Sequence, residues 1–347
     1  MRSLLFFSVL SVISVVSLPS SAAVDFQGKT ISMVIGSEPG GGTDRTGRLL
    51  AAYFEKFLPG TPTIVVRNMP GAEGVTALNY VVQQTKPDGL TFVTGAAVQL
   101  SPLTYRKARG VYDPVKLRYI GGIGRGGTIV ILNAEREKRL YDKSQPPLFF
   151  GALDGTRSGE LIGFWGMEYL GWNAKMVVGY AGTNDIVVAM DRGEVDMNAT
   201  GNLFQFAKLL DSKRFKILIQ SGTFSDGQFR GRPEYGDAPV FAPMMEAKLK
   251  DPVARDAFKY WEAFTATDKW YGLTEGTPDG IVAAYRDAFN KAVADKEFTE
   301  RGSHISEDMS ATSPADMKLL ATELAGSTEE AADFIKAMQR KHGLNIK

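Results

Sequence analysis

The sequence predicts an α/β protein made of two units, each a mostly parallel sheet flanked by helices. Three observations point there. Short β-branched runs alternate with amphipathic helical stretches, glycines recur where a strand hands over to a helix, and the alternation restarts after a loop- and glycine-containing segment at 110–127.

The first unit opens with a short β-branched strand at 30–35. A helix over 43–57 follows, with Leu49, Leu50, Tyr53, Phe54 and Phe57 on one stripe, then a β-rich run at 63–66. Val75, Leu78 and Val82 mark a second helix, Pro87-Asp88-Gly89 a turn, and 90–94 a third strand. In the second unit the strands read as 128–132, 148–152, 175–179, 195–199 and 215–220, with helices at 158–170, 184–192 and 203–210 between them. After Ser221 a polar Gly- and Pro-containing stretch leads into a largely helical C-terminal third, with one extended piece at 269–273 and long amphipathic helices from Asp279 and Pro314. No internal repeat stands out.

Composition narrows the function classes. The chain has 347 residues, 44% of them hydrophobic, enough for a substantial core and about two domains. Forty basic against thirty-nine acidic residues leave a formal charge of +1, so no basic surplus points to nucleic acid. The first residues follow a different pattern: Arg2 as a positive n-region, an apolar Ser-rich run at 4–18, and Ser21-Ala22-Ala23 as a cleavage site, with Ala23 the last residue removed. Residues 1–23 are therefore expected to be a signal peptide, and the mature chain periplasmic. There is no cysteine, which excludes disulfides, thiolate metal sites, a cysteine nucleophile and a lipidated N-terminal cysteine.

The stretch "IGSEPGGGTDRTGRLL" leaves a strand, crosses Gly40, Gly41 and Gly42, and enters a helix that Thr43 or Asp44 can cap. In an open parallel sheet, ligands sit beyond the carboxyl ends of the strands, where helix N-terminal amides favour negative charge. The loop suits an anion, and it also reads as a tight strand-to-helix turn. It is neither a Walker A loop nor a GxGxxG fingerprint. "GTRSGE" at 155–160 is a second such junction and carries Arg157, whose guanidinium can grip a carboxylate. "GYAGTND" at 179–185 is a third, with Gly182, Thr183 and Asp185 at the helix start. Three similar junctions on two units suggest facing walls of one cleft.

Taken in order, "EPGGGTDRTGRLLA" with "VVRNMPGAEG", "KPDGLTFVTG", "VVGYAGTNDIVVAMDRGEVDM" and "WYGLTEGTPDGIVAAYRDAFNKAVADKEF" resemble the solute receptors of tripartite tricarboxylate transporters, also called Bug-type receptors, over almost the whole mature length. The resemblance implies a type II periplasmic-binding-protein fold around a central cleft, with 24–124 and about 250–347 as one domain and about 125–249 as the other. It implies a non-enzymatic receptor, with no cofactor and no metal, that captures a small organic acid and delivers it to membrane permease subunits as a monomer. It nominates Ser37, Gly41, Gly42, Thr43 and Asp44 on the first wall, and Thr156, Arg157, Ser158, Gly182 and Thr183 on the second. Gly95, Ala96 and Ala97 end the third strand and would line the floor. Asp44 matches the family's aspartate, and a carboxylate there suits a helix cap better than contact with an anion.

Two departures bear on the ligand. Gly36, Ser37 and Glu38 replace the usual apolar or proline-rich approach to the glycines. A cleft-facing Glu38 would disfavour a tricarboxylate and admit an amino acid or amine-bearing acid; aromatic acids also stay open. A solvent-facing Glu38 would do neither. The family's histidine at the start of the second domain's first long helix is absent, with Glu160 near its expected place. "GGIGRGGT" at 121–128 would form the hinge entrance, where Arg125 either steers anions or is simply solvated. His304 and His342, the only histidines, read as surface residues, and the four tryptophans as packing. A ligand sensor with a signalling partner would share the same site. An exported α/β enzyme using Ser158 or Asp44 would need a general base that the sequence does not place beside Ser158.

Overall fold

A computed structural model describes residues 24–124, 127–201, 203–305 and 309–346, so the signal peptide expected at 1–23 and Arg125 lie outside the described residues. The first part of the chain runs β1 (Thr30–Ile35), α1 (Gly42–Phe57), β2 (Thr63–Asn68), α2 (Val75–Gln84), β3 (Thr91–Ala96), α3 (Pro102–Tyr105) and β4 (Arg118–Ile123). The second runs β5 (Ile129–Asn133), α4 (Glu137–Leu140), β6 (Leu148–Gly151), α5 (Leu161–Tyr169), β7 (Ala174–Val177), α6 (Thr183–Asp191), β8 (Met197–Thr200), α7 (Leu203–Asp211) and β9 (Phe215–Gln220). A hairpin, β10 (Thr223–Ser225) and β11 (Gln228–Arg230), precedes α8 (Phe241–Glu246), α9 (Pro252–Ala266) and β12 (Lys269–Leu273). The chain closes with α10 (Asp279–Ala294), α11 (Lys296–Ser303), β13 (Ala311–Thr312), α12 (Pro314–Ala325) and α13 (Glu329–Lys341).

Two sheets organise these elements. The first has strand order β13-β4-β12-β3-β1-β2, the second β7-β6-β8-β5-β9. β1 to β4 point one way, with β12 inserted between β3 and β4 in the opposite sense and β13 antiparallel at the edge. In the second sheet only β5 runs against the others, between β8 and β9. The sheets are thus mostly parallel, each with a reversed strand where the chain passes between sheets.

Strand alternation explains why each sheet is covered on both faces. Ile31, Met33 and Ile35 of β1 join Leu50, Phe54, Tyr285 and Phe289 in one core, while Val34 turns to the opposite face with Leu78, Trp270 and Leu320. In β5, Val130 and Leu132 face Phe150 and Trp165, and Ile129 and Ile131 face Ile186 and Phe206. α9 carries Phe258 and Trp261 into the second sheet's core and Ala263 into the first's; α13 adds Ile335 and Met338 to the second. The aromatic centre packs at ordinary ring geometry, with Trp165 edge-on to Phe258 at 5.1 Å between centroids.

One close approach fixes α1 over β1. A Cβ on Gly47 would lie 2.8 Å from Ile35 Cδ1 and 3.0 Å from Met33 Cε, so glycine lets the helix settle this low on the strand without displacing those side-chain tips. That seats the N-terminus of α1 at the carboxyl end of β1. Among the described residues no helix is long and apolar enough to cross a membrane.

Candidate functional site

The carboxyl ends of the parallel strands from both sheets border one cleft of about 640 Å³. On the first side it is lined by Gly42 and Thr46 of α1, Asp268 and Lys269 at the start of β12, and Ser303, His304 and Ile305 at the end of α11 and just beyond it. The second side contributes Thr128, the loop from Leu153 through Arg157, Ser158 and Glu160, Thr183 and Ile186 of α6, and 198–201 at the end of β8.

Two helix N-termini reach the cleft from opposite sheets. Gly41 caps α1 and Gly182 caps α6, and neither supplies a side-chain acceptor to the first-turn amides. By contrast α9, α11, α12 and α13 are capped by Asp251, Asp295, Ser313 and Thr328 through side-chain hydrogen bonds. Unsatisfied amides and the positive end of the helix dipole favour an anion at Gly42 and Thr183.

The loop after β6 is tied down before any ligand arrives. The buried Glu160 carboxylate accepts the amides of Leu153 at 2.7 Å and Gly155 at 2.8 Å. Gln339 Nε2 donates to the Gly155 carbonyl at 2.9 Å, and Trp261 Nε1 donates to the Ser158 carbonyl at 2.7 Å. These bonds present Arg157 outward, its guanidinium 3.6 Å from Asp154 and 63% exposed. Burial pushes the Asp154 carboxyl up, but the Thr156 hydroxyl and amide, with Arg157, outweigh it and hold it below the usual range. Facing this loop, Lys269 is nearly buried and bonded to Asp268, so among the described residues the cleft walls carry two cationic side chains, Arg157 and Lys269, and two carboxylates, Glu160 and Asp268.

Of the residues nominated from sequence, Gly42, Arg157, Ser158 and Thr183 meet at the cleft. Gly41, Thr43, Gly182 and Asp185 lie in the adjoining helix starts without lining it, Asp185 being exposed. Asp44 is buried and organises the glycine loop: it accepts the Gly40 amide at 2.8 Å, Asn68 Nδ2 at 2.8 Å and Arg48 Nε at 2.9 Å. Burial raises its carboxyl, and these donors more than reverse that, leaving it below the usual range. Ser37 offers its carbonyl to Asn68, and Glu38 is exposed and outside the lining, so among the described residues the carboxylates facing the cleft are Glu160 and Asp268 instead. Thr156 is exposed and bonded to Asp154. Gly95, Ala96 and Ala97 do not line the cleft: a Cβ on Gly95 would lie 2.6 Å from the Trp270 ring, the Ala96 carbonyl accepts Trp270 Nε1, and Ala97 is buried. Of the histidines, His304 is exposed at the cleft, whereas His342 is half-buried against Glu168.

Sequence reasoning did not nominate Lys269, Asp268 or Asn198. A lysine opening the otherwise hydrophobic run "KWYGL", and an asparagine inside the strand "MNAT", were the available signals.

A structure of a TctC solute binding protein from Polaromonas, solved without ligand, matches the chain with a TM-score of 0.63 at 17% identity, covering 90% of this chain and 98% of that one. The fold is that of a TctC solute-binding protein. A curated protein of Cupriavidus necator, the UPF0065 protein in the gbd 5' region, is 40% identical over 106 residues, 30% of this chain. The aligned stretch covers 31% of that relative's length. The periplasmic binding protein BugD matches more loosely, with a TM-score of 0.43 at 20% identity over 92% of this chain and 99% of that one. No family model matches the chain.

Proposed function

We propose that the chain is a periplasmic solute receptor of the tripartite tricarboxylate transporter type. It takes a small carboxylate-bearing ligand into the cleft, catalyses no reaction, and passes the ligand as a monomer to a membrane permease. The observation that carries this reading is the meeting of two glycine-capped helix N-termini, from α1 and α6, at one cleft that also holds Arg157 and Lys269. Amides and cations drawn from both sheets suit one anionic guest better than two separate surface turns do. The TctC fold adds support.

In this reading 24–124 with about 250–347 forms one domain and about 125–249 the other. A ligand touching both stabilises a closed form only by its differential affinity for that form. A thermal-shift screen of the mature chain against mono-, di- and tricarboxylates, amino acids and aromatic acids tests it. A ligand at 100 times its Kd adds about 2.7 kcal/mol and raises Tm by several degrees. A screen in which no carboxylate raises Tm contradicts the reading.

A further inference from the structure

Asn198 lies on β8 between Gly151 of β6 and Ile131 of β5, and it is 2% exposed. Its Nδ2 donates to the Gly151 carbonyl at 2.7 Å. That carbonyl can only accept, so the bond fixes which end of the amide faces which way. The other end, Oδ1, is buried without a hydrogen-bond partner among the described residues, and the residue lines the cleft. A buried amide oxygen without a donor destabilises the free site, and a ligand donor reaching it would relieve that cost.

The charged groups around the cleft differ in kind. The α1 and α6 N-termini, Arg157 and Lys269 are donors that suit a carboxylate, and the two carboxylates among the described lining residues already have donors, Glu160 from the Leu153 and Gly155 amides and Asp268 from Lys269. Asn198 Oδ1 is an acceptor, which a carboxylate oxygen cannot satisfy.

Resting on the receptor reading above, we infer that Asn198 reads a hydrogen-bond donor on the ligand, so that the solute is a hydroxy- or amino-substituted carboxylate and not a plain one. A site with a buried group waiting for a donor discriminates strongly against the analogue lacking it, because the group is then left unpaired in the complex. A plain acid would leave Oδ1 as it stands in the free protein and gain nothing there.

Calorimetric titration of the mature chain with matched acids tests this: succinate, malate and aspartate; propionate, lactate and alanine; phenylacetate, mandelate and phenylglycine. In at least one set a donor-bearing member is expected to bind about tenfold or more tightly than its plain parent. The hydroxy and amino members show which donor is read. In the Asn198→Leu variant, checked for folding by its melting curve, the preference within that set should collapse to about twofold or less. The wild-type comparison needs no variant. Plain and donor-bearing acids binding equally would overturn the inference and leave the receptor reading standing, and a preference that survives intact in a folded Asn198→Leu protein would also overturn it. If no member of any set binds, the inference falls, and the thermal screen with its wider range of acids decides the receptor reading.

Discussion

In the Arg157→Ala variant the loop after β6 loses its guanidinium while its other ties remain. The loop is held by hydrogen bonds with Glu160, Gln339 and Trp261, none of which uses the Arg157 side chain. The lost partner is Asp154, 3.6 Å away, with the two side chains 63% and 52% exposed. Coulomb attraction at that separation in water is about 1 kcal/mol before side-chain entropy and salt reduce it, so the stability change should stay below about 1 kcal/mol. Binding should respond differently. A charged hydrogen bond to a ligand carboxylate contributes about 1.5–3 kcal/mol, which weakens Kd by about ten- to 150-fold. Titration calorimetry with the best acid from the thermal screen, beside melting curves of both proteins, measures the two quantities. A Kd within about twofold of wild type at unchanged Tm would refute the role given to Arg157; a large fall in Tm would show that the guanidinium holds the loop together.

Gly42→Val should abolish binding while leaving the stability within about 1 kcal/mol of wild type, because a Cβ there meets no atom within 4 Å and enters the cleft; wild-type affinity would contradict the site. Asp44→Asn should cost about 2 kcal/mol at neutral pH by weakening the buried network with Arg48, Gly40 and Asn68. Since the folded-state carboxyl lies below its usual value, this contribution is fully present above the unfolded pKa of about 3.9 and lost as pH falls through the lower folded value. The gap in stability between variant and wild type should therefore be constant from about pH 5 to 8 and close in stronger acid. Glu262, in a small cavity beside Gly124 and Ser221, is pushed well above its usual carboxyl value by desolvation and by the Glu246 and Glu323 charges. The fold therefore holds the Glu262 proton more tightly than the unfolded chain does, which costs stability as pH rises above the unfolded pKa of about 4.3, so Glu262→Gln should raise Tm at pH 7.5 and match wild type near pH 4. An equal Tm at both pH values would contradict this environment.

Where local pattern coincided with tertiary need, the fold was legible. The 30–35 run and the 49–57 stripe are β1 and α1 because β-branched and helical periodicities there both feed the same buried face. β4 was missed, since its "RYIGGI" looks like loop. Its two glycines instead serve packing: a Cβ on Gly121 would lie 2.4 Å from the Phe289 ring, and one on Gly122 2.4 Å from Met317 Sδ. Phe289 and Met317 sit far along the chain, so no local window contains the reason. The site divides in the same way. Gly42, Arg157, Ser158 and Thr183 stand at strand-to-helix junctions whose chemistry is local. Lys269 and Asn198 reach the cleft through strands paired across long sequence separations, and the alanines after Gly95 are drawn under Trp270 by the insertion of β12 beside β3. Glu160 also needed the fold, because only the closed turn shows its carboxylate gathering the Leu153 and Gly155 amides.

The most direct test of the central claim is energy transfer across the cleft. The chain has no native cysteine, so Arg45→Cys on α1 and Val188→Cys on α6, both exposed positions, place one dye on each side. Titration with the tightest carboxylate from the screen should raise transfer efficiency in step with binding, because the anion draws the two helix N-termini together. Saturable binding with unchanged transfer would contradict capture between the two walls.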